Sequence, residues 1–182
     1  MWARVEGTEI KEIISKPKAM TIGNIQYPAN IFNLWTEAEL KALRLYPVII
    51  DNSNLKEKDY YTNGAETFTV TSTEEDGLKV TKSFRTATAK SLTELKSTHK
   101  NRINTEAYSL LQDSDWMVVR QAEEGGAWMP QAWATWRAAV RTKANEMCTK
   151  VDAVNTVEAL AALYVYDTDD VRPLGEFPNK PS

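Results

Sequence analysis

The sequence predicts an α+β protein: a small β-rich amino-terminal part with a short helix, then a long antiparallel helical hairpin and an irregular carboxy-terminal tail. Two apolar stripes carry the second half of that prediction. Leu92, Leu95, His99, Ile103, Ala107 and Leu110 recur every three or four residues, and so do Trp133, Trp136, Val140, Ala144, Met147 and Val151. Two such stripes with a connector of about 20 residues between them can bury each other as a helical hairpin. The first half rests on threonine-rich segments of period two between Thr67 and Phe84. The pattern places domains at 1–87 and 88–166, with the tail at 167–182.

In chain order, Trp2 to Ile14 is β-branched around Gly7-Thr8 and reads as a short hairpin. Lys16-Pro17-Lys18 breaks it. Met20 to Pro28 holds two very short strands around Gly23-Asn24. So thin a meander requires a partner surface. Thr36 and Glu39 form a capping box, with Trp35 and Leu40 as its staple, so a helix runs from about Glu37 to Arg44. Pro47 prevents its continuation. Val48-Ile49-Ile50 is a short strand, and Asp51 to Asn54 opens a polar loop.

Thr67–Val70 and Leu78–Phe84 pair as a hairpin whose turn is Glu75-Asp76-Gly77, with Gly77 at positive φ. Periodicity changes across Arg85 to Lys90. Ser91 with Glu94 forms a second capping box, and the long helix ends near Gln112. Glu123-Glu124-Gly125-Gly126 belongs to the connector, and Pro130 suits the first turn of the next helix. That helix fades at Val154. Asn155 and Glu158 cap a short helix through Leu163, Tyr164 to Tyr166 extends as a strand, and Asp169 to Ser182 has little to bury.

Composition excludes several classes. A formal net charge of -3 supplies no basic footprint for nucleic acid. Cys148 is the single cysteine, which rules out an internal disulfide and a cysteine metal cluster. No run reaches the roughly 20 apolar residues of a membrane span. Met1 to Gly7 does not read as a signal peptide, so cytosolic synthesis is expected. His99 lies on the stripe without partners at metal-ligand spacing. Asp167-Thr168-Asp169-Asp170 lacks the glycine and terminal glutamate of a calcium loop. Gly125-Gly126 lacks a phosphate-loop ending, and no serine has a nucleophile elbow. Neither an enzyme nor a cofactor or metal is expected.

The sharper feature is Asp113-Ser114-Asp115-Trp116. It reads as a helix end that places one tryptophan, or as that together with a partner surface at Trp116. Lys96, Lys100, Arg102, Arg137, Arg141 and Lys143 make the hairpin locally basic. Arg137 and Arg141, four apart, can clamp carboxylates. Trp133 and Trp136 lie on roughly one side, and arginines beside aromatics have the makeup of an interface centre.

Leu110-Leu111, then Ser114-Asp115-Trp116, then Trp133 to Arg141 resembles the tailed-bacteriophage tail assembly chaperone family. In that family a leucine pair and a Ser/Thr-Asp-Trp step precede a helix opening Trp-x-x-Tyr-Arg-x-x-Leu-Arg. Asp115, Trp116, Trp133, Arg137 and Arg141 match, with Val140 at the leucine position. Trp136 stands where tyrosine is usual, and Thr142-Lys143-Ala144 replaces an Asp-Ile-Pro ending. The likeness covers about a quarter of the chain. Ile25 to Thr36 and Leu45 to Val48 are also similar to the leading region of phage tail and tail-fibre accessory proteins. The resemblance implies a non-enzymatic tail or tail-fibre assembly protein that binds another tail protein in the host cytoplasm. A virion adaptor at the fibre or baseplate is the alternative. Trp116, Trp133, Trp136, Arg137 and Arg141 are its expected interface residues, with a homo-oligomer left open and neither nucleic acid nor membrane as a partner.

Overall fold

A computed structural model describes residues 1–73, 77–125 and 128–181. The chain divides into two compact units, Met1–Thr88 and Ala89–Ser182. The first is β-rich with short helices, the second is built on long helices, and a short segment ends the chain. It is an α+β fold.

In the first unit, β1 (Trp2–Glu6) and β2 (Glu9–Ile14) form the amino-terminal hairpin, with Gly7 at φ 65° in its turn. β3 (Met20–Ile22) and β4 (Ile25–Tyr27) pair around Gly23. A single turn, α1 (Ile31–Leu34), precedes α2 (Glu37–Ala42). Both halves of the capping box between Thr36 and Glu39 are present. α2 stops short of Arg44, which takes φ 62° beyond the cap, a position glycine usually occupies. Turning there lets β5 (Leu45–Ile50) begin earlier than Val48.

Pro47 sits inside β5, where the strand changes partners. Residues Leu45 to Pro47 lie antiparallel to β1, while Val48 to Ile50 run parallel to β8 (Gly77–Phe84), which pairs with β7 (Glu66–Thr73). A missing N–H at the hand-over removes little from either ladder. The sheet order is β2-β1-β5-β8-β7. Of the expected turn, Glu75 and Asp76 lie outside the described residues, and Gly77 has φ 69°.

Ala3, Val5 and Val80 form one buried cluster. Ile14, Met20, Ile31, Phe32, Leu40 and Leu45 form another, with Trp2 against it. The second cluster joins the β3–β4 ribbon to α1 and α2, which supply the covering surface the thin meander requires. β6 (Tyr61–Thr62) pairs with β9 (Thr88–Ala89).

In the second unit, α3 (Leu92–Gln112) buries Leu95, His99, Ile103 and Ala107. Ser91 accepts from the Glu94 N–H at its start. The connector is not all loop: α4 (Asp115–Glu124) follows α3 at once. The next helix, α5 (Gln131–Ala153), packs on α3 and buries Trp136, Val140, Ala144, Met147 and Val151. Lys100 meets Asp152 at 2.8 Å and Arg137 meets the Leu111 carbonyl at 2.8 Å, so α3 and α5 are antiparallel.

Three expectations at the end of the chain need correction. α6 (Val157–Ala162) is capped by Thr156, not Asn155, through the Ala159 N–H. Tyr164 to Tyr166 is turn and irregular backbone, because no strand lies beside it among the described residues. The segment read as having little to bury packs on the helices. Leu174 is 2% exposed, and its N–H donates to the Leu163 carbonyl at 3.0 Å. Lys150 donates to the Pro173 carbonyl at 2.7 Å.

Candidate protein-binding surface

Helix α3 ends at a corner, where its last carbonyls lack intrahelical donors. Ser114 occupies that corner with 0% exposure and donates its hydroxyl to the Leu111 carbonyl at 2.9 Å. Arg137 reaches it from α5. Its Nη1 donates to the Leu111 carbonyl and to Ser114 Oγ, and its Nη2 donates to Asp115 Oδ1 at 2.6 Å. One guanidinium therefore faces the negative end of α3 and a carboxylate in the first turn of α4, both favourable against the helix dipoles. Arg137 is 5% exposed, so its planar fork braces three helices from within.

The sequence-predicted residues divide accordingly. Trp136, also 5% exposed, donates its indole N–H to the Pro178 carbonyl at 3.0 Å. Its ring is covered by its own chain, and Arg137 is spent on the corner. Trp133 is half-buried, edge-on to Trp136 at 5.6 Å, with Lys180 over its ring. Trp116 does not fold back into the hairpin: it is 52% exposed and packs edge-on against Trp128 at 5.2 Å. Arg141 is exposed.

Several expected surface cations tie the hairpin together. Lys96 donates to the Asp152 carbonyl and Lys100 pairs with the Asp152 carboxylate, while Lys143 pairs with Glu146 within α5. Arg102 and Arg141 make no hydrogen bond or ion pair among the described residues.

Sequence reasoning missed α4, a helix most of whose apolar residues stay exposed. None of its residues is buried, and Val118 and Val119 are 42% and 55% exposed. The signal was present: Trp116 and Arg120, four apart, both touch Trp128, the latter with its guanidinium 4.2 Å from the ring centre. Beside this aromatic cluster, between α4 and α5, lies an open groove of 540 Å³. Its lining includes Val118, Ala122, Met129 and Ala134, together with Arg137 and Arg141.

Comparison with protein-family models, curated proteins and solved structures returns no match. What the surface can do therefore rests on its own chemistry. His99 is 4% exposed, with its ring against Tyr164 at 4.7 Å. Burial pushes the Cys148 thiol above its usual range, which disfavours the nucleophilic thiolate. Among the described residues no group of three or more His, Cys, Asp or Glu side chains could hold a metal ion. No described helix is long and apolar enough to cross a membrane. The groove offers apolar contact area and an arginine, and the Trp116–Trp128 pair offers ring faces, residue types common in protein recognition.

Proposed function

We propose that this chain is a non-enzymatic bacteriophage tail or tail-fibre assembly protein that holds another tail protein through α4 and the adjoining end of α5. The observation that carries the reading is the exposure of apolar residues along α4: Trp116, Val118 and Val119 are all more than 40% exposed on a helix with no buried residue. A helix in a folded protein ordinarily buries an apolar stripe, and several large apolar residues left exposed on one short helix point to an interaction surface. The resemblance through Asp115, Trp116, Trp133, Arg137 and Arg141 supplies the tail context, and assembly takes place in the host cytoplasm. No cofactor or nucleic acid enters this function.

Co-expression with the structural tail proteins of the same phage, followed by affinity capture and quantitative mass spectrometry of purified particles, tests the reading. An assembly protein forms a complex with one tail protein and is absent from particles or present below one copy per symmetry unit. Fixed symmetric copy number in the particle would instead establish the adaptor role. Absence from both complexes and particles would refute the proposal.

A further inference from the structure

The groove between α4 and α5 has features that specify its occupant further than a general protein surface does. Val118, Gln121 and Ala122 lie three and four apart on α4 and share the face that lines it. From Gln131 to Asn145, α5 contains Arg137, Arg141 and Lys143 and no acidic residue. Two of those cations are already committed, Arg137 to Asp115 and Lys143 to Glu146. On α4, Arg120 is committed to Glu124 at 2.9 Å. Arg141 is left in the lining with no partner among the described residues. Arg137 also lines the groove, with its Nε–H buried and without an acceptor among the described residues. The groove thus joins apolar walls to an unpaired cation.

We infer that this groove docks an apolar peptide segment of a partner protein whose acidic side chain pairs with Arg141. The inference rests on the binding-protein reading above and names the chemistry of the partner. Charge argues for a different protein over a second copy of α4. Antiparallel self-pairing would set Asp115 against Glu123 and Glu124, and parallel pairing would stack Arg120 on Arg120 and Glu124 on Glu124. Like charges opposed in an interface are unfavourable. A carboxylate-bearing segment instead meets the free cation, and an arginine favours such a partner because its fork can bind both oxygens.

Selection from a random peptide library against the full-length protein tests this without reference to any phage. Enriched peptides should combine at least two apolar residues with an aspartate or glutamate. They should bind the parent about tenfold more tightly than Arg141→Glu, the scale of a good charge pair at an interface. Val118→Asp, at a half-exposed position, should weaken the same peptides while circular dichroism stays that of the parent. Three results would overturn the inference: no enrichment, enriched peptides without an acid, or equal binding to Arg141→Glu. Sedimentation showing a dimer that Val118→Asp dissociates would assign the groove to a second copy and overturn it as well. Should the protein prove absent from every tail complex, acid-dependent selection at Arg141 would still stand, so the two readings fail separately.

Discussion

Arg137 and Asp115 are joined at 2.6 Å across the corner where α3 gives way to α4, and the same guanidinium holds the Leu111 carbonyl and the Ser114 hydroxyl. The two sequence blocks that carry the family resemblance thus meet in space, although 22 positions separate these partners.

Removing the guanidinium would take one donor from the Leu111 carbonyl, which keeps the Ser114 N–H and hydroxyl, and would take the Arg137 donor from the oxygen of the fully buried Ser114. Arg137→Met should lower stability by about 2–4 kcal/mol, below the full cost of breaking a buried pair because the Asp115 side chain is 50% exposed. Asp115→Asn should cost about 1 kcal/mol or less, since its partner keeps two other acceptors. Urea denaturation of both variants measures this. Equal losses would show that the ion pair, not the carbonyl brace, supplies the stability.

Trp116 makes its contacts with Trp128 on an open face. Trp116→Ala should therefore cost about 1 kcal/mol, near the value of an aromatic pair and far below the 3–5 kcal/mol of a core tryptophan. Chemical denaturation checks it, and a loss above about 3 kcal/mol would put the ring in the interior.

The terminal segment is anchored by a residue, not by composition. Leu174→Ala should destabilise the helical unit by about 2–4 kcal/mol, the range for a buried leucine. It should also increase hydrogen exchange at the Trp136 indole, whose acceptor is the nearby Pro178 carbonyl. Parent-like exchange in the variant would show that the segment is held elsewhere.

Cys148 is partly buried between neighbours on α3 and α5, and desolvation is the main cause of its raised pKa, opposed by Lys100. The folded thiol holds its proton more tightly than the unfolded one. Its contribution to stability is therefore fully present below the unfolded pKa and is lost as pH rises through the folded value. Alkylation by iodoacetamide near neutral pH should be slower than that of free cysteine and should accelerate in alkali. A rate equal to free cysteine at neutral pH would contradict the burial.

Local chemistry in the sequence was enough for the elements whose ends are locally encoded. The box at Thr36 and Glu39, the turns at Gly7 and Gly23, and the stripes of α3 and α5 each depend on residues within a few positions of one another. α2 does stop before Pro47, but the start of β5 at Leu45 depends on strand partners far along the chain, because the proline is tolerated where β5 passes from β1 to β8. Asn155 and Thr156 are equally plausible caps, and only backbone geometry chose Thr156.

What the sequence by itself determined is the α+β layout and the pairing of two apolar stripes, because periodicity dictates which face of an element must be buried. What only the tertiary structure decided is which aromatic and cationic residues remain available. Trp136 and Arg137 looked like an interface by composition, yet an indole N–H and a guanidinium must find acceptors when buried. They find them in Pro178 and at the Leu111–Asp115 corner, contacts that no local pattern specifies. Val118 and Arg141 kept their exposure in the lining of the open groove between α4 and α5, and Trp116 kept its own on the open face where it meets Trp128.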